Sequence, residues 1–377
     1  MARRLARLIT FVLALALAAP AAADPAAEEV RGKVRAAVGY DAFRKLEHGV
    51  VLDGKARHDG FPGTFTLRLR PDGRYAVVID TKTGFATGFD GKGRWSRRCT
   101  TPALPVELRY GDIYRFQYGI LGHRWLAADG GFTVAIDPAE HRPYRPCLVV
   151  RHPDCPTLGA RVYLDPATWL PTRFSVLVDG GESVTEMADW RDVGGAKVPG
   201  WVAFGRYAGG SELTAATAAP APPPPAGADP FAPPPPAADT AFVPAARAAA
   251  EAKVVDGVLL VRPAVNGAPG PWLMLNTGAT STSVAAAAAD RLGLPTLGRV
   301  GVNPGIDTRY RTADRFTLGP ATVSGLPLVE IPTERFAAMG EVIKAELGGM
   351  LGGDVLARVV LEADWGAGTA AVHDPRA

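Results

Sequence analysis

A short hydrophobic run that ends in a polar residue and a glycine turn constrains this chain more than any other feature. Residues 271–283 read Pro-Trp-Leu-Met-Leu-Asn-Thr-Gly-Ala-Thr-Ser-Thr-Ser, and an alanine-rich segment follows at 284–292. A brief apolar run favours a strand, glycine favours a tight turn, and alanine is the strongest helix former. The sequence therefore predicts a strand, a tight turn and a helix in direct succession.

This stretch resembles the active-site turn of the retropepsin-like aspartic proteases, where a hydrophobic run precedes Asp-Thr-Gly-Ala or Asp-Thr-Gly-Ser. Thr277 and Gly278 match that pattern, whereas Asn276 stands where the family has its catalytic aspartate. The resemblance implies that the Thr277 hydroxyl braces the partner turn across a two-fold axis. It also implies that Ala279 and Thr280 lie in the substrate-binding part of the site.

The chemistry of Asn276 differs from that of aspartate at one point. Aspartic proteases place two carboxyl groups against one water, and the pair shares a proton, so that one group acts as base and the other as acid. A carboxamide keeps the shape and much of the hydrogen bonding of a carboxyl group, but it does not accept a proton near neutral pH. The resemblance therefore predicts a pseudo-protease that binds peptide or dimerises without hydrolysis.

A second motif carries the same resemblance. Met350-Leu351-Gly352 resembles the hydrophobic-hydrophobic-Gly segment that packs behind the active-site turn in this family, and residues 299–316 lie where the family has its substrate-covering flap. Because the chain carries a single turn of this type, the family's arrangement would require a homodimer. The resemblance thus predicts an all-β retropepsin-like acid-protease fold with short helices over residues 253–375.

Two other functions remain open from the sequence. An active aspartic endopeptidase would need an unseen carboxylate or a deamidated Asn276, and deamidation is disfavoured because threonine rather than glycine follows that residue. Asp354, which the resemblance makes structural, is not assigned as the catalyst. The third function assigns the activity to the first half of the chain, as a periplasmic carrier of lipid or lipoprotein.

The first half, residues 28–207, has the pattern of an α+β domain. Apolar residues at helical spacing predict a helix over 26–46 that Gly39 interrupts. Alternating runs predict a hairpin around Pro71-Asp72-Gly73 and then a long series of antiparallel strands. Further strands are expected at 132–136, 147–151, 161–164, 172–178 and 183–190. One helix followed by many strands indicates a strongly curved antiparallel sheet.

Two turn-rich segments of this half, 88–95 and 163–173, resemble the periplasmic lipoprotein-carrier-like domains of the LolA and LolB type. The resemblance implies an incomplete barrel whose apolar cavity holds a lipid or acyl chain. The alternative is a β-scaffold whose aromatic side chains simply fill the core. The sequence does not separate a ligand cavity from a packed core.

The two halves are joined by residues 208–250, which are rich in proline and alanine and carry few charges. Proline runs at 222–225 and 233–236 favour extended polyproline structure, and the segment offers little large apolar surface to offset the entropy of ordering. The sequence therefore predicts a proline- and alanine-rich linker that separates the two domains.

Residues 1–23 have the pattern of a cleavable signal peptide. Three arginines precede an apolar run at 8–19, and small residues follow at 21–23. This pattern predicts a periplasmic or secreted protein. Removing the segment lowers the formal net charge from +3 to zero, and the remaining chain has no basic footprint for nucleic acid.

The three cysteines leave two alternatives open. In an oxidising compartment Cys147 and Cys155 could form a disulfide across a short loop, or they could be two buried thiols on neighbouring strands. The state of Cys99 cannot be assigned. No Cys or His spacing suggests a metal site, and no cofactor is expected.

Overall fold

The computed structural model describes residues 24–98, 101–106, 108–178, 181–205, 210–235, 238–243, 249–303 and 306–377. Two large β-sheets dominate this part of the chain, together with six short α-helices and one 3-10 helix. The predicted signal peptide at 1–23 and Cys99 both lie outside the described residues.

The first sheet has 13 strands. They are β1 (Val50–His58), β2 (Phe61–Leu69), β3 (Tyr75–Asp80), β4 (Phe85–Phe89), β5 (Arg94–Arg98), β6 (Leu104–Pro105), β7 (Thr133–Ile136), β8 (Cys147–Arg151), β9 (Gly159–Leu164), β10 (Pro171–Val178), β11 (Gly181–Val193), β12 (Ala196–Phe204) and β13 (Ser211–Pro220). The accompanying helices are α1 (Pro25–Ala37), α2 (Tyr40–Phe43), α3 (Leu108–Leu121) and the 3-10 helix Arg124–Leu126.

Neighbouring strands of this sheet are antiparallel and follow the chain except at one junction. The order runs β6-β5-β4-β3-β2-β1-β13-β12-β11-β10-β9-β8-β7, so the first and last strands pair in the middle. The sheet curls into a half-barrel around a core that includes Phe43, Phe116 and Trp125, all fully buried. The expected α+β domain with a curved antiparallel sheet is confirmed.

The helix at the start of the domain follows directly from its sequence. Asp24 caps α1 by accepting a hydrogen bond from Ala26 N at 3.0 Å, and Val30 and Val34 are buried on one face. Gly39 has a φ of 62°, which a residue with a side chain rarely adopts, and it separates α1 from α2. The predicted interruption of the helix at Gly39 is confirmed.

The predicted linker at 208–250 is wrong near its start. Residues 211–220 form β13, which pairs with both β1 and β12, and Leu213 and Ala215 are buried in the sheet. Farther along, Phe231 is also buried, and its carbonyl accepts a hydrogen bond from Trp95 Nε1 at 2.8 Å. Small alternating residues are sufficient for a strand here because two partner strands satisfy its backbone.

The second sheet contains the remaining strands. They are β14 (Thr240–Phe242), β15 (Ala249–Val255), β16 (Val258–Arg262), β17 (Ala264–Val265), β18 (Ala268–Pro269), β19 (Leu273–Leu275), β20 (Ser283–Ala285), β21 (Thr296–Asn303), β22 (Ile306–Leu318), β23 (Ala321–Ile331), β24 (Gly349–Leu351), β25 (Val360–Asp364) and β26 (Thr369–His373). Its helices are α4 (Ala286–Arg291), α5 (Thr333–Ile343) and α6 (Gly353–Leu356).

The topology of this sheet differs from the meander of the first. Its order is β18-β17-β22-β23-β20-β24-β19-β16-β15-β26-β25, with β14 added to β23 and β21 added to β22. Two neighbouring pairs, β19 with β24 and β20 with β23, are parallel. This part is mostly β with short helices, as the sequence predicted, although the expected helix at 284–292 begins only after the short strand β20.

Candidate functional site

The two motifs singled out in the sequence lie side by side in the second sheet. Strands β19 and β24 pair in parallel, with Met274 opposite Met350 and Leu275 opposite Leu351. Asn276 N then donates a hydrogen bond to Leu351 O at 3.0 Å. The parallel pairing therefore delivers the turn at 276–279 and the glycine pair that follows β24 to the same end of the sheet.

The turn is closed by the side chain and backbone of Asn276. Its Oδ1 accepts from Gly278 N at 3.0 Å, and its carbonyl accepts from Ala279 N at 3.2 Å. Its Nδ2 donates to the Met350 sulfur at 3.2 Å. Asparagine is well suited to such a local turn because its short side chain reaches the backbone two residues ahead. The amide is partly buried and oriented from both ends.

The residues after Asn276 face outward. Thr277, Gly278 and Thr280 are exposed, and Ala279 is half-buried. The Ala279 carbonyl nevertheless accepts from Gly353 N at 2.7 Å, which ties the turn to the segment after β24. The turn thus presents a polar, solvent-facing edge on a backbone that is fixed from behind.

A buried carboxylate holds the two segments together. Asp354 Oδ1 and Oδ2 each lie 2.8 Å from Thr282 N, and the Thr282 hydroxyl donates to Oδ1 at 2.5 Å. The same hydroxyl accepts from Gly352 N at 3.1 Å. Burial raises the pKa of Asp354, while the hydrogen bonds from Thr282 lower it. Asp354 is 4% exposed, so its oxygens are engaged with the fold.

Close packing explains why glycine follows the Met350-Leu351 pair. A Cβ added at Gly352 would lie 2.5 Å from Ser281 O, well inside van der Waals contact. The neighbouring Leu351 is fully buried, and Met350 is half-buried against the Asn276 amide. The glycine therefore allows the two chain segments to cross in direct backbone contact.

Sequence reasoning missed two residues that stabilise this region. Thr282 is one of four consecutive hydroxyl residues at 280–283, and its contact with Asp354 distinguishes it from the others. Arg311 lies in the segment that the resemblance assigns to the flap, and it is buried and donates to Glu330, Asp290 and the Leu294 carbonyl. A positive charge alone gave no signal of this role, because the partners come from distant parts of the sequence.

The half-barrel contains a cavity of about 260 Å³. It lies between α3 and the sheet, and its wall includes His58, Phe85, Arg98, Tyr114, Tyr118 and Phe204. The His58 ring stacks on Phe85 with their centroids 5.5 Å apart. Burial lowers the pKa of His58, so the ring is neutral near neutral pH. The cavity therefore has aromatic walls and a cationic edge at Arg98.

The disulfide considered between Cys147 and Cys155 is wrong for this structure, in which both are free buried thiols. Cys147 begins the extended strand β8, which carries the chain about 13 Å to Arg151, and Cys155 lies in the turn beyond. Disulfides require Cα atoms within about 7 Å. Cys155 Sγ instead donates to Asp112 at 3.0 Å, and burial raises the pKa of each thiol to about 12.

The described residues contain neither a metal-binding cluster nor a helix that could span a membrane. Within those ranges, no cluster of three or more His, Cys, Asp or Glu side chains is arranged to hold a metal ion. None of the helices in the described part combines the length and the apolar composition needed to cross a membrane.

Residues 261–355 match the family model described as aspartyl protease. This range begins in β16 and ends in α6, so it contains both the turn at Asn276 and the Met350-Leu351-Gly352 motif. The predicted resemblance of the C-terminal part to aspartyl proteases is confirmed. No curated protein sequence matches the chain.

Solved structures similar to this chain fall into two groups. A retropepsin-like aspartic protease from Rickettsia conorii shares 16% identity, with 35% of this chain and 90% of that chain covered and a TM-score of 0.24. A LolA superfamily protein from Nitrosomonas europaea shares 13% identity, with coverages of 52% and 94% and a TM-score of 0.34. A DUF1329 family protein from Desulfovibrio piger shares 9% identity, with coverages of 50% and 92% and a TM-score of 0.30. The two kinds of resemblance expected from the sequence are both found.

Proposed function

We propose that the C-terminal domain is a pseudo-protease, which keeps the architecture of an aspartic protease half-site and binds extended peptide without hydrolysing it. The observation that carries this proposal is Asn276 at the end of β19, in the position assigned to the catalytic aspartate. Its amide is already engaged at Oδ1 by Gly278 N and at Nδ2 by the Met350 sulfur. A neutral amide fixed in this way cannot take a proton from water.

The proposal includes a homodimer, because one chain supplies one turn of this type. The exposed edge at Thr277 and Gly278 is available to a second copy. In a symmetric pair the two turns would face each other across the two-fold axis. With two amides in place of two carboxyl groups, no like-charge repulsion would oppose their approach.

The decisive experiment compares the purified wild-type protein with Asn276→Asp in cleavage of a mixed peptide library at acidic pH. We expect no cleavage by the wild type and measurable cleavage by the variant, because the substitution restores the missing acid-base group without changing side-chain size. Asn266→Asp is the matched control, since Asn266 lies in the distant β17–β18 turn. Mass spectrometry of residue 276 excludes deamidation.

Two outcomes of that experiment would contradict the proposal. Cleavage by unmodified wild-type protein would show that another residue carries the chemistry and would refute the pseudo-protease. If neither protein cleaves while both bind peptide, the claim that a single side-chain group disables the site is wrong.

A second candidate function belongs to the half-barrel, and the cavity beneath α3 favours it. We propose that this cavity accepts one apolar chain, as a lipid or lipoprotein carrier would require. Calorimetric titration of the delipidated full-length protein with sodium laurate tests this directly. Ile113 lines the cavity, so the larger side chain of Ile113→Trp would occupy it and should abolish binding. Tyr144→Trp, at a 75% exposed position, should bind laurate as the wild type does. Absence of laurate binding by the wild type would remove this candidate.

The domain boundaries and the cellular location of the protein are part of the same proposal. We place the first domain from residue 28 to the end of β13, later than the boundary at 207 that the sequence predicted, because β13 completes the first sheet. The proline-rich segment after it leads to the second domain, which we begin at β14 (Thr240–Phe242) rather than at residue 253, because β14 pairs with β23. Residues 1–23 would direct export to the periplasm or beyond and be removed.

A further inference from the structure

The two domains meet at a small buried contact. The turn between β1 and β2 places Phe61 against Tyr310 of β22, with ring centroids 6.1 Å apart. Both residues are 6% exposed, and Leu297 and Val329 pack around them. A Cβ at Gly298 would lie 2.6 Å from the Phe61 ring, so the hairpin formed by β21 and β22 approaches the half-barrel closely. We call residues 58–61 the connecting turn.

A buried hydrogen bond accompanies this packing. The Tyr310 hydroxyl donates to Asp59 Oδ2 at 3.2 Å, and Asp59 is only 7% exposed. Asp59 and Gly60 have φ angles of 51° and 83°, as the two central residues of a type I′ hairpin turn require. A buried hydrogen bond from such a well-defined turn is specific in geometry, because moving either partner leaves an unsatisfied group.

The residue before Asp59 lines the half-barrel cavity. His58 belongs to the cavity wall, stacks on Phe85, and lies 2.7 Å through Nδ1 from the Ser211 hydroxyl. Its Nε2 is 3.6 Å from Asp59 Oδ2. The connecting turn thus has one side chain in the cavity wall and the next in the contact with the hairpin.

From Tyr310 the contacts continue to the candidate site. Tyr310 is paired with Val329 across β22 and β23. Val329 N donates to Thr282 O at 3.0 Å, and Thr282 is the residue that Asp354 holds behind the turn at 276–279. Packed and hydrogen-bonded groups therefore connect the cavity wall with the Asn276 turn without a break. Chains of this kind can carry coupling between distant sites.

We propose that occupancy of the half-barrel cavity is coupled to the β21–β22 hairpin through Asp59 and Tyr310. This proposal rests on the second candidate function, that the cavity accepts an apolar chain. A bound chain adds contacts to His58 and reduces the freedom of the connecting turn, which then holds Tyr310 in place.

Hydrogen exchange of the full-length protein tests the coupling, with sodium laurate as the cavity probe. In the wild type we expect laurate to slow exchange in residues 309–318 by about fivefold, the lower end of ordinary coupling. Tyr310→Phe removes only the hydroxyl and should speed basal exchange there while abolishing the laurate effect. Tyr144→Phe, at an exposed tyrosine, should behave as wild type. Ile113→Trp should slow exchange without laurate, because its side chain fills the cavity.

The outcomes separate failure of the coupling from failure of the cavity. Laurate binding with unchanged hairpin exchange overturns the coupling and leaves the carrier function standing. If laurate does not bind, the carrier function fails and the coupling, which rests on it, fails with it. If laurate binds but slows exchange equally in Tyr310→Phe and in the wild type, the hydrogen bond between Tyr310 and Asp59 does not carry the coupling. These outcomes do not depend on Ile113→Trp, so they stand even if that variant does not fold.

Discussion

At the scale of single residues, the candidate site is held together by side chains that hydrogen-bond to nearby backbone groups. Asn276 closes its own turn, and the Asp354 carboxylate accepts hydrogen bonds from Thr282 N, from the Thr282 hydroxyl and from Val355 N. The sequence could mark Asn276 because the surrounding residues match a known pattern. It could not mark Thr282 as the partner of Asp354, since 72 positions separate them.

Gly352→Ala should destabilise the C-terminal domain by about 2–4 kcal/mol, because the added methyl group meets the Ser281 backbone, which cannot move aside. Urea unfolding measures the change. Gly32→Ala is the control of opposite sign: Gly32 lies within α1 with open space around it, so alanine should stabilise that helix by about 1 kcal/mol. An unchanged midpoint for Gly352→Ala would mean that the two segments do not cross this closely.

His123 makes the stability of the half-barrel depend on pH. Burial lowers its pKa to about 4 from 6.5, and Nε2 lies 2.8 Å from the Lys197 carbonyl. The unfolded chain therefore binds more protons between these values, so stability should fall as the pH drops from 6.5 to 4, by on the order of 3 kcal/mol in total. The free energy of unfolding of His123→Gln should change less with pH over this range than that of the wild type. His373→Gln, at an exposed side chain, should show the same pH dependence as the wild type.

At the scale of elements, hairpins were predictable and two elements were not. The turn at 71–73 and the closing hairpin of β25 and β26 follow from alternation and turn residues. Helix α3 was missed because Gly111 and Gly119 interrupt its pattern, yet Gly119 allows the Phe132 ring to approach. Strand β13 was missed because four of its ten residues are alanine, which carries little strand signal. Both elements are stabilised by the half-barrel, which no local pattern encodes.

The position of β13 predicts the effect of a buried charge. Leu213→Asp should destabilise the half-barrel by about 3 kcal/mol or more, because Leu213 is 1% exposed within the first sheet. Ala216→Asp, at an exposed position of the same strand, should change stability little. Thermal unfolding of both variants distinguishes a strand from the linker that the sequence predicted: a linker would tolerate either substitution.

At the scale of the whole molecule, two sheets of different topology meet where Phe61 packs against Tyr310. The meander of the half-barrel encloses a cavity, and the second sheet brings distant segments to one turn. The sequence indicated both architectures through resemblance and alternation. It did not indicate the contact at Phe61 and Tyr310, since these residues lie in different domains and have no shared pattern.

The whole molecule is expected to self-associate through the turn at 276–279. We expect the protein to sediment as a dimer at micromolar concentration and Thr277→Arg to shift it towards monomer by at least about tenfold in dissociation constant, because bulk and charge would face their own copy. Thr369→Arg provides a matched exposed control in β26. Identical sedimentation of both variants and the wild type would place any dimer interface away from the turn at 276–279.

The pairing of β1 with β13 also determines how the half-barrel responds to tension. Val50 lies opposite Pro220, and Ala221 N donates to Gly49 O at 2.9 Å, so the chain enters and leaves the sheet at the same end of one antiparallel pair. A force applied to the proline-rich segment would therefore peel this pair apart one bond at a time rather than shear all its bonds together. Once the contact between Phe231 and Trp95 is released, tension would thus load the hydrogen bonds of this pair in sequence, beginning at Val50 and Pro220.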